Sequence, residues 1–175
     1  GVGEAVFGTI APRFGAHAEY VCLPEHGAVA PKPSNVSYTE AAALADATAL
    51  CFLRDKAGLR AGQAVLVNGA SGAVGSAAVQ LAANAGARVF ATAGSAEKCA
   101  ACEQLGAERA INYRDADFVA VVREQTAGRG VDVVLDMVGG AYFSRNLDVL
   151  ATEGRLVEIA TLQGAKAELN IQTIM

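Results

Sequence analysis

Short runs of apolar residues alternate with stretches of helical periodicity over most of the chain. Ala64–Val67 is a continuous apolar run, which is typical of a parallel strand buried on both faces. A glycine-rich turn follows directly, and from Ala73 to Gly86 apolar residues recur at the spacing of one helix face. This succession predicts a strand, a tight turn and a helix, the context that a dinucleotide-binding motif requires.

The alternation continues as far as residue 159. It predicts four more strands, at Arg88–Ala93, Ala110–Asn112, Val131–Asp136 and Arg155–Ile159. Three more helices lie between them, at Ala96–Leu105, Asp117–Thr126 and Tyr142–Leu150. Strands that alternate with helices favour an α/β fold, a Rossmann-type doubly wound parallel sheet with helices on both faces. A six-stranded version needs one strand more than residues 163–175 provide, so we expect the last strand to be missing.

The first part of the chain has a different pattern. Glycine and all four prolines break it into short β-like runs that predict a hairpin and a connecting strand: Gly1–Ile10, Gly15–Leu23 and Ala28–Val29. These strands are too few to enclose a core. We therefore expect a domain boundary after residue 35, with a nucleotide-binding domain in residues 36–175.

A helix is predicted at the start of the second domain. Ser37 or Thr39 can cap it, because either hydroxyl accepts a hydrogen bond from the first free backbone N–H groups. The helix is expected to begin at Glu40, to be broken near Asp46 and to end at about Lys56, before two glycines.

Composition excludes several classes of function. With 53% hydrophobic residues the chain can bury a sizeable core, and its net charge of −4 offers no basic surface for nucleic acid or an anionic membrane. No run of apolar residues is long enough to span a membrane. Four cysteines without a disulfide framework fit a reducing compartment, so a cytoplasmic location is expected. Cys99 and Cys102 lie in a predicted helix and are expected to be semi-buried thiols on one helix face rather than zinc ligands.

The turn after the first Rossmann strand reads Ala70-x-Gly72-x-x-Gly75, with alanine where the first glycine of the motif usually lies. Glycine permits a tight turn, and the free N–H groups of a helix start bind anions, so we expect this turn to hold a pyrophosphate. A tight connection without a ligand is the alternative.

The residues after the second strand bear on the choice of cofactor. NAD-binding domains usually place a carboxylate there, whereas this chain has Thr92–Ser95 without one. Lys98 comes one turn into the next helix, where its charge could pair with a 2′-phosphate. NADPH is therefore the expected cofactor. Glu97 could bind a ribose, which leaves NADH open, and Ser95 and Lys98 are also consistent with a plain helix cap and a solvated helix face.

Other catalytic patterns are missing from the sequence. No tyrosine is followed four residues later by lysine, and there is neither a Gly-x-Ser-x-Gly elbow nor a Gly-Lys-Ser/Thr phosphate loop. His17 and His26 have no metal-ligand partner at useful spacing. Asp136, near the end of its strand, could contact a ligand or make a structural hydrogen bond. We name no catalytic residue and no metal ligand.

Several segments together resemble the zinc-free quinone oxidoreductases of the medium-chain dehydrogenase/reductase superfamily. They are Gly15–Val21, Tyr38–Leu44, Thr48-Ala49, the glycine turn, Ala91–Lys98, Ala110–Tyr113, Val138–Gly140 and Gly154–Val157. The resemblance extends over essentially the whole chain. It implies that NADPH passes a hydride directly to a small-molecule quinone or conjugated carbonyl, with orientation as the main contribution of the protein.

The resemblance also implies a set of cofactor-binding residues. The pyrophosphate would meet Ser71, Gly72, Ala73 and Val74, and the 2′-phosphate and adenosine would meet Gly94, Ser95, Lys98 and Tyr113. Val138 and Gly139 would border the adenine side, and Thr48, Ile159 and Thr161 would lie near the nicotinamide. Residues 1–35 would be the remnant of a GroES-like substrate domain, and the parent enzyme would be a homodimer.

Two functions remain open at this point. The first is NADPH-dependent reduction of quinones or conjugated carbonyls. The second is a nucleotide-binding module that holds NADPH without turnover, because much of the substrate cleft would lie outside these residues. A relative of the zinc alcohol dehydrogenases is a weaker third reading, since it needs cysteine and histidine ligands that this sequence does not supply.

Overall fold

The structure is a computed structural model that describes residues 1–10, 14–24, 26–43 and 47–175. Contacts divide the chain into two units, Gly1–Asp46 and Ala47–Met175. The second unit contains the whole parallel sheet. None of the helices in these described ranges is long and apolar enough to cross a bilayer.

The first unit contains two short strands and one helix in its described part. Strands β1 (Val6–Gly8) and β2 (Val29–Pro31) pair antiparallel. The strand expected within Gly15–Leu23 is wrong, because the described residues 14–24 form no strand. Their side chains are exposed apart from a partly shielded Leu23, so this segment has no partner surface to hold it extended.

Helix α1 (Tyr38–Ala43) begins with a reciprocal cap. Ser37 Oγ accepts a hydrogen bond from the Glu40 backbone N–H at 3.2 Å, and the Glu40 carboxylate accepts one from the Ser37 N–H at 2.8 Å. The Ser37 N–H, and secondly the Ser37 hydroxyl, which donates to the same carboxylate at 2.8 Å, hold the pKa of Glu40 below its usual value. Ser37 is thus confirmed as the cap. The break expected near Asp46 lies outside the described residues.

The second unit is a five-stranded parallel sheet. Its strands are β3 (Ala64–Val67), β4 (Arg88–Ala93), β5 (Arg109–Asn112), β6 (Val131–Asp136) and β7 (Leu150–Glu158). Their order across the sheet is β5-β4-β3-β6-β7, so the chain winds outward in opposite directions from the central pair β3 and β6. This arrangement confirms the expected Rossmann-type fold and creates the switch point where such sheets bind ligands.

Five helices connect or flank these strands: α2 (Ala47–Leu50), α3 (Ala73–Asn84), α4 (Ala96–Gln104), α5 (Phe118–Gln125) and α6 (Tyr142–Val149). A π-helical segment, Cys51–Lys56, follows α2, and a short 3₁₀ helix, Ile171–Ile174, lies near the end of the chain.

Both faces of the sheet are covered, as the sequence predicts. Successive strand residues point to opposite faces. Val65 and Val67 pack with α3 and α4, whereas Leu66 packs with α5 and α6. Cys99 and Cys102 are buried on the first of these faces, and burial raises the pKa of each thiol. They are more deeply buried than the semi-buried thiols that the sequence predicted.

Strand β7 begins earlier than expected. The sequence places its start at Arg155, but Leu150 already pairs with Val131. The register then shifts, and Glu153 adopts a left-handed conformation with φ of 63°. The polar residues and the glycine at this bulge have the composition of a turn. The sequence therefore does not predict the first half of the strand. Residues 160–175, all of them described, contain no further strand.

Candidate functional site

All five strands of the sheet are parallel, so their carboxyl ends meet at one edge. Most of the expected cofactor-binding residues follow directly after these ends: Ser71, Gly72, Ala73 and Val74 after β3, Gly94, Ser95 and Lys98 after β4, Tyr113 after β5, Val138 and Gly139 after β6, and Ile159 and Thr161 after β7. The topology thus brings them to the same edge. Their contacts with a cofactor remain predictions.

Thr48 differs from the other expected residues because it does not follow a strand. It lies exposed in α2, which packs against α3. Its neighbour Ala49 is fully buried in the core beneath α3. The role of Thr48 near a nicotinamide stays a prediction.

The glycine turn after β3 is packed so closely against α3 that it leaves no room for a side chain at Gly75. A Cβ atom at Gly75 would lie 2.5 Å from the Gly69 carbonyl oxygen and 2.6 Å from the Ala70 Cα. Gly69 itself has a φ of 64°, a conformation that favours glycine. Gly75 therefore lets helix α3 approach the strand end, as the third glycine of the motif does in Rossmann sheets.

The start of α3 presents backbone donors without competing side chains. Gly72 is its N-cap residue and provides no side-chain cap. Within the described part of the chain, the N–H groups of Ser71, Ala73 and Val74 donate to no acceptor. These three residues are exposed or partly exposed. Free N–H groups and the positive end of the helix dipole make this a favourable place for a phosphate group.

The residues after β4 combine a helix cap with a cation. Ser95 Oγ accepts a hydrogen bond from the Lys98 backbone N–H at 3.3 Å, so Ser95 is the N-cap of α4. Its hydroxyl hydrogen remains available to a ligand. The Lys98 side chain is exposed, and its ammonium makes no hydrogen bond or ion pair to any residue that the structure describes. The prediction that Ser95 caps a helix is confirmed. This cap is compatible with a role of the same hydroxyl in phosphate binding.

Tyr113 is fixed against the end of β4. A Cβ atom at Gly94 would lie 2.7 Å from the Tyr113 hydroxyl oxygen, so the ring rests on the glycine backbone. The ring also meets Tyr142 edge-to-face, with centroids 6.4 Å apart, and Tyr142 stacks on Phe118. Tyr113 still exposes 39% of its surface. It can therefore pack on the sheet and offer a face to a ligand at the same time.

A buried polar network beneath the glycine turn was not expected from the sequence. Asn68 Nδ2 donates to Asn146 Oδ1 at 2.8 Å, and Thr92 Oγ1 donates to Asn68 Oδ1 at 3.0 Å. Thr92 Oγ1 also accepts from the Gly69 N–H at 3.2 Å. All three side chains of this network are fully buried. The network ties the turn to β4 and α6 and so holds the helix start in place.

The turns after β6 and β7 are joined through their backbones. Ile159 N–H donates to the Asp136 carbonyl and Gln163 N–H to the Val138 carbonyl, both at 2.7 Å. A Cβ atom at Gly139 would lie 2.8 Å from the Gly164 carbonyl oxygen, and the φ of Gly139 is 67°. The two turns therefore form one compact unit, with glycine required at the contact.

A cavity of about 340 Å³ lies beside these two turns, and Gly139, Thr161 and Lys166 are among the residues that line it. Glu158 lines it as well. Asp136 makes the structural hydrogen bond that the sequence left open, since its Oδ2 accepts from the Gly139 N–H at 2.7 Å. No group of three or more His, Cys, Asp or Glu residues is placed to hold a metal ion in the ranges that the structure describes.

A Rossmann sheet with an open, side-chain-free helix start at its switch point defines a dinucleotide-binding domain. Comparison with family models agrees with this class. The model described as zinc-binding dehydrogenase matches residues 73–175, which is more than half of the chain. The chain therefore belongs to this family, within the medium-chain dehydrogenase/reductase superfamily of oxidoreductases.

Individual relatives cover nearly all of this chain. Prostaglandin reductase-3 from Bos taurus is 38% identical over 173 residues, which are 99% of this chain and 45% of that protein. Quinone oxidoreductase-like protein 2 from Bos taurus is 39% identical over 170 residues, 95% of this chain and 48% of that protein. The Escherichia coli quinone oxidoreductase complexed with NADPH superposes with a TM-score of 0.76 at 33% identity, over 84% of this chain and 46% of that one. The chain spans less than half the length of these relatives.

Proposed function

We propose that this chain is the cofactor-binding core of an NADPH-dependent oxidoreductase that transfers a hydride to quinones or conjugated carbonyls. The observation that carries the proposal is the start of α3, where exposed backbone N–H groups at the switch point of the sheet have no acceptor in the described part of the chain. Similarity to a quinone oxidoreductase that binds NADPH supports the choice of chemistry.

The residues present fit such a cofactor at two places. The free N–H groups of Ser71, Ala73 and Val74 can accommodate a pyrophosphate, and Gly75 lets the helix that carries them pack closely against the turn. Downstream, the Ser95 hydroxyl and the Lys98 ammonium can meet a 2′-phosphate, with Tyr113 beside them for the adenosine. The described part of the chain places no carboxylate at the N-cap of α4, where it would repel this phosphate.

The bound nicotinamide would supply the hydride. The protein would hold the dinucleotide by its phosphates, border its adenine side with the turn after β6, which contains Gly139, and set the position of the nicotinamide through the turn after β7, which contains Ile159 and Thr161. Orientation of this kind can account for much of the rate enhancement in a direct transfer between two bound molecules. We therefore assign these residues to binding and positioning, and name none as an acid or base.

Further parts of the proposal come from the resemblance alone. They are independence from zinc and a homodimeric parent enzyme. The proposed cytoplasmic location rests instead on the four cysteines, because all are free thiols.

Direct hydride transfer can be tested with isotope-labelled cofactor. NADPH carrying deuterium at C4 would be incubated with the chain and either a quinone or an α,β-unsaturated ketone. Deuterium at the β-carbon of the reduced ketone, with matching loss of NADPH, is the expected result for the second substrate. Binding of NADPH with no oxidation beyond the rate without protein would contradict the enzymatic proposal for this chain.

Such a result would favour a binding module without turnover. One feature of the structure supports this second candidate. In the described part of the first unit, Ala41 is the one buried residue, and both strands have only three residues. These residues form too little packed structure to line one side of a substrate cleft.

Substitution of Lys98 by alanine tests the choice between cofactors. We expect the Kd for NADPH to rise about 10-fold, because a charge-assisted contact with the 2′-phosphate is lost. NADH has no such phosphate, so its Kd should change less than about 2-fold. Isothermal titration of both cofactors measures the two effects. The exposed Lys56→Ala is the matched control and should leave both affinities unchanged. Equal losses for NADPH and NADH in Lys98→Ala would show that Lys98 does not recognise the phosphate.

A further inference from the structure

Two carboxyl groups meet at the ends of β6 and β7. Asp136 and Glu158 are register partners on these adjacent parallel strands, which lie about 4.8 Å apart, so both side chains project from the same face. Asp136 is fully buried, and both carboxyl oxygens of Glu158 are shielded from solvent. Within the described ranges, Asp136 Oδ1 and the two Glu158 oxygens have no hydrogen-bond donor. Three buried carboxyl oxygens therefore lie at these two strand ends without a donor from any other group in the described ranges.

A single shared proton resolves this arrangement. Two ionised carboxylates at this separation repel each other, and each would lack the hydration that stabilises its charge. A proton on Glu158 lets it donate to Asp136 and removes the repulsion. Burial, and secondly the neighbouring Asp136, raise the pKa of Glu158 to about 7.

Lys166 and Tyr142 are titratable groups near this pair in the part of the chain that the structure describes. Lys166 lines the same cavity as Glu158 but is exposed. Tyr142 lies within electrostatic range of Asp136, and burial raises the pKa of its hydroxyl, so it stays neutral in the range in which Glu158 titrates.

The pair is attached to both turns of the expected cofactor site. Asp136 Oδ2 accepts from the Gly139 N–H, and the Asp136 carbonyl accepts from the Ile159 N–H, each at 2.7 Å. Glu158 directly precedes Ile159 in the chain. A change in the separation of the two carboxyl groups therefore moves both turns.

We propose that Asp136 and Glu158 share one proton at neutral pH, and that this proton keeps the turns after β6 and β7 in the arrangement that binds NADPH. The two residues are thus positioning residues, and their loss of the proton above neutral pH weakens cofactor binding. The binding part rests on the proposed function, whereas the shared proton does not.

The shared proton has a definite effect on stability. Glu158 has a pKa of about 7 in the folded chain and 4.5 as a free group, so between these values the folded form binds more protons than the unfolded form. The free energy of unfolding therefore falls as pH rises from 4.5 to 7 and levels off above that. In Glu158→Gln the amide donates to Asp136 at every pH. Compared with the exposed Glu168→Gln as control, its Tm should be nearly equal at pH 5 and higher by about 7 °C at pH 8.

Two further measurements complete the test. The amide resonance of Gly139 should titrate with a midpoint near neutral pH in the wild type and in Glu168→Gln, and stay flat in Glu158→Gln. The Kd for NADPH should rise about 3-fold or more from pH 6.5 to 8.5 in the wild type relative to Glu158→Gln. The 2′-phosphate of the cofactor titrates near pH 6, and this contribution cancels in the comparison.

The outcomes separate the two claims. Matching Tm profiles and a Gly139 resonance that does not titrate would overturn the shared proton. A normal titration with the same pH dependence of Kd in both proteins would overturn the positioning role. Failure to bind NADPH at any pH, with the titration intact, would contradict the proposed function and still support the shared proton. If Glu158→Gln does not fold, Asp136→Asn replaces it, because its amide can donate to Glu158 and should shift the midpoint to lower pH.

Discussion

Replacing Gly75 by alanine is expected to destabilise the Rossmann unit and to abolish NADPH binding. The new Cβ would lie 2.5 Å from a backbone oxygen and 2.6 Å from a backbone carbon, and neither atom can rotate away as a side chain could. Helix α3 must then move off the strand end, which we expect to lower the free energy of unfolding by about 3 kcal/mol. Urea denaturation and NADPH titration measure the two effects.

Gly72→Ala provides the matched control for this change. Its Cβ would meet the Gly69 carbonyl oxygen at 3.4 Å, an ordinary contact, and its φ of −81° suits alanine. Stability should stay within about 0.5 kcal/mol of the wild type. The affinity for NADPH should still fall about 10-fold, because the second glycine of the motif allows the pyrophosphate to approach the backbone. Equal stability of the two variants would mean that the turn is not as closely packed as described.

Asn68→Ala is the second change with a large expected effect. It would leave the Asn146 side-chain oxygen without a donor and the Thr92 hydroxyl hydrogen without an acceptor. Both groups are buried. A buried polar group that loses its partner costs about 1–3 kcal/mol, so we expect a loss of about 3 kcal/mol in the free energy of unfolding. Chemical denaturation followed by circular dichroism would measure it.

The exposed Asn84→Ala at the end of α3 is the control for this network and should change the stability by less than about 0.5 kcal/mol. A change of similarly small size in the free energy of unfolding of Asn68→Ala would show that the network contributes little to the stability of the fold. Affinity for NADPH should fall along with stability in Asn68→Ala, since the network holds the turn to which Gly69 belongs.

The sequence predicts the Rossmann sheet well because its signals are local. Apolar runs such as Ala64–Val67 and helix ends marked by glycine each depend on neighbouring residues only. The expected strand within Gly15–Leu23 and the late start of β7 at Arg155 were wrong for the opposite reason. Whether a β-like run pairs depends on which other strand reaches it, and a bulge has the composition of a turn.

The candidate site likewise contains residues that could be predicted from the sequence and residues that could not. The glycine turn and Ser95 follow strand ends and could be recognised from the sequence by position. Asn68 and Asn146 are far apart in the chain, and no pattern joins them. Glu158 likewise stands among apolar strand residues, where a charged side chain suggests a solvent-facing position. Only the register of β6 and β7 brings it beside Asp136.

The cap of α4 has an implication for how dinucleotide preference could evolve in such a domain. Serine and aspartate serve about equally well as N-cap residues, so an exchange at position 95 would preserve the helix start. The same exchange would introduce a carboxylate that repels a 2′-phosphate and accepts hydrogen bonds from a ribose. Selection for one nucleotide or the other could therefore act on a single codon, with little penalty in folding.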